Sequence, residues 1–154
     1  MKGLSPRLKS ALFLLKNDLF PTRERLLRCN KAENSICNRC YEHDTQGHFI
    51  VCLGTQTVCL YLVKTLELYQ PSVTLEQVVN CDIKGEESAV FAVMWVLALT
   101  TEYVWDCTRT GRNITPDDIH GILSAELEIL NSIPQIRDKA VKLFPIINMH
   151  LINK

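Results

Sequence analysis

The sequence lacks the pattern that β-structure requires. No segment alternates apolar and polar residues between hairpin turns. Internal repeats and low-complexity tracts are also missing, so repeat architectures are not expected. These absences predict an all-α fold class.

No apolar run is long enough to cross a bilayer. The apolar run from Ala89 to Leu99 covers eleven residues, whereas a spanning helix needs about 20. The shorter run at residues 11–15 is interrupted by Lys16 and is not followed by a small-residue cleavage site, so no signal peptide is predicted. We therefore expect no membrane partner and an intracellular protein, cytoplasmic or nuclear.

Excess charge of either sign is missing as well, with 17 basic and 17 acidic residues. The distribution is nevertheless uneven. Residues 1–40 contain nine Lys or Arg and three Asp or Glu, a formal charge of +6, and residues 41–154 carry −6. This polarity suggests an anionic partner for the first quarter, although a basic helix is also an ordinary solvated surface.

Catalytic motifs are not found. There is no glycine-rich phosphate loop, and Asp117 and Asp118 follow Thr115 and Pro116, where helix capping already explains two acids. A cysteine nucleophile would need a neighbouring histidine and an orienting group, and thiols clustered at metal-ligand spacing argue against a free reactive one. We expect that the chain is not an enzyme.

Helical periodicity is what the sequence does contain. Ser5 and Pro6 form a helix start, and leucines 8, 12, 15 and 19 recur on one stripe. The long segment that starts at Glu86 is apolar all round in its middle, which predicts a central buried helix. The predicted helices cover residues 5–19, 22–28, 53–69, 74–79, 86–108, 115–130 and 135–144.

A cluster of metal-binding residue types occupies residues 37–52, which hold three cysteines and two histidines. A Cys-x2-Cys turn lets two sulfurs converge on one ion, and a His and a Cys four residues apart project from one helical face. The predicted ligands are Cys37, Cys40, His48 and Cys52, a closed tetrahedral set for Zn²⁺ with no open position for chemistry. The fold expected is therefore a helical domain with an inserted zinc-knuckle loop.

Two alternatives stay open for this cluster. His43 follows Cys40 by two residues and would form a tight chelate, yet it could replace His48 as ligand. The cysteines could also be small packing residues, since free Cys is often buried. That packing role is the one we predict for the remaining cysteines, Cys29, Cys59, Cys81 and Cys107.

The loop offers little apolar surface of its own, so metal binding should decide whether residues 29–56 fold. We divide the chain into basic helices plus zinc knuckle, residues 1–56, and a helical carboxyl-terminal part, residues 57–154, packed with the first as one unit.

Basic residues lead into the metal loop and could follow a phosphate backbone, while a neighbouring tyrosine could stack on an unpaired base. The candidate nucleic-acid-binding residues are Arg23, Arg25, Arg28, Lys31, Arg39 and Tyr41.

The segment Leu-Phe-Pro-Thr-Arg-Glu-Arg-Leu-Leu-Arg-Cys-Asn at residues 19–30, followed by Cys37-x2-Cys40-x7-His48-x3-Cys52, resembles the carboxyl-terminal zinc-binding region of non-LTR retrotransposon reverse transcriptases. The resemblance covers about residues 4–56; a weaker one, around Met94-Trp95, is to the helical tail of some arthropod-type elements. It implies that the four residues are zinc ligands and that the module binds template or element RNA. The family usually has four residues between the His and the last Cys, where this chain has three. His43 therefore stays an alternative to His48 as the histidine ligand.

The chain has neither the polymerase palm with its acidic motif nor an endonuclease part. The resemblance therefore implies a non-enzymatic, zinc-binding module that binds nucleic acid, RNA in preference to DNA, with a reverse transcriptase body as a further candidate partner. The alternatives are a zinc-stabilised protein interaction module and a non-functional fragment of a decayed element.

Overall fold

Six α-helices form the fold in the computed structural model, which describes residues 4–17, 19–45, 47–48, 52–69, 71–138, 143 and 145. Within these residues there is no β-strand, only one antiparallel bridge between Ile36 and His43. The all-α prediction is confirmed. The helices are α1 (Pro6–Lys16), α2 (Arg23–Arg28), α3 (Gln56–Tyr69), α4 (Leu75–Val79), α5 (Glu87–Thr110) and α6 (Pro116–Asn131), with short 3₁₀ turns at Leu53–Thr55 and Pro134–Ile136.

Side-chain caps fix where the helices begin. The Ser5 hydroxyl accepts a hydrogen bond from the Leu8 N–H at 3.3 Å, which satisfies a donor that the first helical turn leaves without a partner. Thr22, Thr74 and Thr115 do the same for α2, α4 and α6. At the other end of α5, Gly111 takes the left-handed conformation that closes a helix.

Helix α5 is the centre of the protein. It packs against α1, α3, α4 and α6, and Phe91 and Trp95 are among its fully buried side chains. By length and composition alone α5 could cross a membrane, but 78% of its apolar window is buried inside the protein. The other helices therefore cover its apolar surface, as they cover the core helix of a globular domain, and the predicted burial of this segment is confirmed.

Helix α1 is shorter than its leucine pattern predicts. Leu8, Ala11 and Leu15 are buried on the α5 side, whereas Leu19 lies beyond the helix end. The Asn17 side chain donates to the Phe13 carbonyl at 2.8 Å, and the Leu19 N–H reaches back to the Leu14 carbonyl at 2.8 Å. This closure of the last turn ends the stripe three residues early.

The carboxyl-terminal helix predicted over residues 135–144 falls only in part within the described residues. Of the helix predicted over residues 135–144, the structure describes the 3₁₀ turn at Pro134–Ile136 and the two residues after it, together with a fully buried Leu143. The rest of that prediction lies outside the described residues.

Candidate metal centre

The metal loop, residues 29–52, connects α2 to the 3₁₀ turn before α3 and begins as a tight hairpin. The Cys37 N–H donates to the Glu42 carbonyl at 2.8 Å, and the Tyr41 N–H donates to the Cys37 carbonyl at 3.0 Å. Tyr41 closes this turn with a positive φ of 64°. The turn thereby brings the Cys37 and Cys40 sulfurs within 4.8 Å of each other.

Four side chains converge beside this turn. One ligand atom each from Cys37, Cys40, His48 and Cys52 lies within 4.8 Å of all the others. The Cys37 and Cys52 sulfurs are 3.8 Å apart, and Cys40 Sγ lies 3.2 Å from His48 Nε2. Two sulfurs bound to one tetrahedral zinc at about 2.3 Å would be separated by about 3.8 Å, whereas a disulfide needs about 2.05 Å. The distances between the four ligand atoms are therefore those that a bound metal ion requires.

The other two candidate ligands, His48 and Cys52, are spaced as residues one helical turn apart. The Cys52 N–H donates to the His48 carbonyl at 2.9 Å, the hydrogen bond of residues four apart in an α-helix. Both side chains are buried. His43, in contrast, is exposed in the hairpin, and its Nδ1 shares a 2.8 Å hydrogen bond with the Ser35 hydroxyl. The structure brings His48 into the cluster and leaves His43 outside it.

A bound cation would change the protonation of the Cys52 thiol. Burial raises the pKa of the Cys52 thiol to about 12; a hydrogen bond from the Gly54 backbone lowers it, and the neighbouring Cys40 and Cys37 raise it further. Such a thiol gives up its proton when a bound cation supplies the compensating charge. The Arg39 N–H donates to Cys37 Sγ at 3.4 Å, a contact that would stabilise the sulfur as a thiolate.

One carboxylate fastens the loop to α2. Asp44 Oδ2 accepts a hydrogen bond from the Arg23 N–H at 2.8 Å, and the Asp44 carbonyl accepts one from the Glu24 N–H at 3.2 Å. Together with the Thr22 cap, these bonds occupy the first free N–H groups of the helix. The short basic helix is therefore held directly against the metal loop.

One arginine fastens the loop to α5. Arg39 Nη1 donates to the Thr108 hydroxyl at 2.8 Å. Its stem crosses Gly54 so closely that a Cβ on that glycine would lie 2.5 Å from Arg39 Cβ. Sequence reasoning missed this attachment, because nothing in the local pattern connects residues 69 positions apart.

The candidate nucleic-acid-binding residues divide by exposure. Arg23 and Arg39 line a cleft between the metal loop and α5, together with Phe20 and Trp105, whose rings meet edge to face at 6.0 Å. Sequence reasoning had no signal for these aromatic residues. The half-buried candidates are Arg23, Arg25 and Arg39, and the exposed ones are Arg28, Lys31 and Tyr41.

The described cysteines outside the cluster differ in their surroundings. Cys107 is buried in the core and Cys81 is half-buried, as their predicted packing role requires. Cys29 is exposed, so the packing prediction is wrong there; it is the carboxyl-terminal cap residue of α2. The side chain of Cys59 lies outside the described residues.

Comparisons with protein-family models, with curated proteins and with solved structures found no match for this chain.

Proposed function

We propose that this chain is a non-enzymatic, zinc-stabilised helical module that binds nucleic acid, RNA in preference to DNA. The observation that carries the proposal is the convergence of four metal-ligand atoms within 4.8 Å of one another. The proposed binding of nucleic acid rests on the resemblance of residues 4–56 to the zinc-binding region of non-LTR reverse transcriptases.

Zinc is the metal that suits these ligands. Three sulfurs and one imidazole nitrogen form a soft, tetrahedral donor set, which is typical of structural zinc sites. All four positions are filled by protein, so the ion would hold the loop together rather than activate water or substrate. The chain's own contribution is to hold the ligand atoms in place through the hairpin and the His48–Cys52 hydrogen bond.

The charges around the loop support a polyanionic ligand. Arg28 and Lys31 are exposed. In the part of the chain that the structure describes, no carboxylate lies within 4.0 Å of the Arg23 or Arg39 guanidinium. Positive side chains without an acidic partner attract phosphates, and the exposed ring of Tyr41 could stack on a base.

Metal analysis tests the first half of the proposal. The purified chain should contain one equivalent of zinc, and Cys40→Ser and His48→Ala should lose it. Cys29→Ser and His43→Ala are the matched controls, since both residues lie outside the cluster, and both should keep the metal. Loss of zinc from His43→Ala, with retention in His48→Ala, would contradict the ligand assignment.

RNA binding tests the second half. The zinc-loaded chain should bind single-stranded RNA with an affinity that falls steeply as salt rises, because phosphate contacts release counterions. A variant with Glu at positions 23, 25 and 28 should lose this binding while keeping its zinc. A zinc-loaded parent without salt-dependent RNA binding would overturn this part of the proposal.

A protein interaction module is the second candidate function. A cleft of about 760 Å³ between α5 and α6 is lined by five carboxylates and three arginines, which would suit a basic segment of a protein partner such as a polymerase body. The charge-reversed variant separates the two functions, because it should abolish RNA binding and leave capture of such a partner intact. The carboxylates are Glu102, Asp106, Asp117, Asp118 and Glu126.

A further inference from the structure

One sulfur of the metal centre is more accessible to solvent than the other two. Of the four candidate ligands, only Cys40 is not buried. Cys37 and Cys52 are 4% and 3% exposed, whereas Cys40 is half-buried and precedes Tyr41, which is 78% exposed. A small solute that diffuses to the metal centre therefore meets the Cys40 sulfur first.

Metal binding would also make the Cys40 sulfur reactive towards oxidants. A zinc-bound cysteine is deprotonated, and the thiolate is the nucleophilic form of the residue. Susceptibility to oxidation follows thiolate character and exposure together. Cys29 is exposed as well, but it lies outside the cluster, so no bound cation deprotonates it. In the zinc-loaded protein, Cys40 would combine both properties.

Two further sulfurs lie close enough to form a disulfide with Cys40. The ligand atoms of Cys37, Cys40 and Cys52 are all within 4.8 Å of one another. The sulfurs of a disulfide are about 2.05 Å apart, so either neighbour has to approach Cys40 by less than about 3 Å. Cysteines that respond to oxidants often have a second cysteine beside them in this way.

The metal loop is attached to the helical core in a way that lets it change separately. None of its described residues belongs to the apolar core. Hydrogen bonds of Asp44 and Arg39 join it to α2 and α5. Loss of the ion should therefore disturb the loop and leave the helices around α5 packed.

We propose that Cys40 is a site of oxidation by hydrogen peroxide, and that its disulfide with Cys37 or Cys52 releases the zinc ion. This inference rests on the proposed function and adds a means of regulating its metal site. RNA binding, where it depends on an ordered metal loop, is switched off by the same reaction.

The reaction has two steps. The Cys40 thiolate attacks hydrogen peroxide: an S–O bond forms, the O–O bond breaks, and the hydroxide that leaves takes a proton from solvent. A neighbouring thiolate then attacks the sulfenic acid sulfur of Cys40: the S–S bond forms, the S–O bond breaks, and a second hydroxide leaves and is protonated. Two thiolates lose two electrons in all, and the peroxide that gains them becomes two waters. One thiolate and His48 remain, which is half of the ligand set.

Peroxide treatment of the zinc-loaded full chain tests the proposal. Hydrogen peroxide should release the bound zinc, measured with a colorimetric chelator. Peptide mapping by mass spectrometry, after free thiols are alkylated, should find Cys40 in a disulfide with Cys37 or Cys52. Dithiothreitol together with added zinc should restore the metal, because a disulfide is reversible by thiol exchange. The far-UV helical signal should persist throughout.

Histidine variants locate the reactive sulfur. Cys40→His removes it but keeps four ligands, since two cysteines and two histidines also form a structural zinc site. Its zinc should survive a peroxide concentration that empties the parent. Cys37→His is the matched variant: it keeps Cys40 and Cys52, so peroxide should still release its zinc. Cys29→Ser should respond as the parent does.

The outcomes separate this inference from the proposed function. Zinc that stays bound under peroxide, zinc release from Cys40→His, or a disulfide that joins Cys37 to Cys52 without Cys40 overturns the inference and leaves the function standing. A parent chain that contains no zinc overturns both. Zinc release through a Cys40 disulfide, in a protein that binds no RNA, supports the oxidation site and overturns the RNA-binding half of the function. If Cys40→His takes up no zinc, the disulfide map of the parent decides.

Discussion

At the scale of single residues, the shape of the metal loop depends on two backbone positions. Gly54 lets Arg39 cross the chain on its way to Thr108, because a glycine has no Cβ to meet the arginine stem. Tyr41 closes the Cys37–Cys40 turn with a positive φ, a conformation that L-residues adopt at a cost. Both positions control where the ligand-bearing turn sits.

Gly54→Ala should destabilise the protein by about 1–3 kcal/mol, the usual cost of forcing extra atoms into a packed site. The new Cβ would lie 2.5 Å from Arg39 Cβ and 2.8 Å from Arg39 Cδ, so the arginine must move away from Thr108. Urea unfolding of the zinc-loaded protein measures the free energy of unfolding.

Gly121→Ala is the matched control for this prediction. Gly121 lies inside α6, where a Cβ would meet nothing within 4 Å. Alanine should stabilise the protein there by about 0.5–1 kcal/mol, because it restricts the unfolded chain. If Gly54→Ala gained stability as Gly121→Ala does, the close approach of Arg39 would not exist in solution.

Tyr41→Gly should have opposite effects on stability and on RNA binding. Glycine adopts a φ of 64° without strain, so the free energy of unfolding should rise by roughly 1 kcal/mol. The ring is 78% exposed, so little packing is lost. If Tyr41 stacks on a base, the same change lowers the affinity for single-stranded RNA severalfold, and Tyr41→Phe keeps it. Unchanged RNA affinity in Tyr41→Gly would remove Tyr41 from the proposed interface.

At the scale of helices, local chemistry accounts for most boundaries. Ser5, Thr22 and Thr115 each precede a helix start in the sequence and cap it in the structure. The capping box of Thr74 and Gln77 fixes the start of α4. These boundaries could be predicted because the groups that form them lie within three or four residues of each other.

The contacts between elements could not be predicted in the same way. The His48–Cys52 spacing is local and is visible in the sequence, so the ligand cluster could be proposed. The Arg39–Thr108 hydrogen bond and the Phe20–Trp105 contact join distant segments. Their formation depends on how α5 lies against the loop, which one sequence without long-range pattern does not specify.

Asp44→Ala should loosen the attachment of α2 to the metal loop. The change removes the acceptor of the Arg23 N–H and should cost about 0.5–2 kcal/mol, the range for lost helix caps. The affinity for zinc, measured by competition with a chelator, should fall with it, because the loop and the helix support each other.

Asp44→Asn tests the geometry of that attachment. Its amide oxygen can accept the same hydrogen bond, so most of the stability and the zinc affinity should return. If Asp44→Asn were as destabilised as Asp44→Ala, the carboxylate charge and not the hydrogen bond would hold α2 in place.

At the scale of the whole molecule, stability has two separate sources. The helices around α5 bury a continuous apolar core that includes Leu8, Leu62 and Leu123. None of the described residues of the metal loop belongs to that core, and the loop is attached to α2 and α5 through hydrogen bonds of Asp44 and Arg39. The two parts should therefore respond differently when the metal is removed.

Chelation of zinc should lower the melting temperature while leaving most of the far-UV helical signal. Amide hydrogen exchange should accelerate in the metal loop, and protection in α3, α5 and α6 should persist, because their burial does not involve the ligands. Complete loss of helicity on chelation would show that the core cannot fold without the loop. Unchanged exchange in the loop would show that the metal does not order it.

The Arg39–Thr108 hydrogen bond also sets an order of assembly. The four ligands lie within residues 37–52, so closing the loop around the metal costs little chain entropy. Joining Arg39 to Thr108 closes a loop of 69 residues and has to wait until α5 exists. If the cluster binds zinc as proposed, the knuckle would complete its ligand set on the ribosome while α5 is still being translated, and it would dock onto the finished helix as a preformed unit.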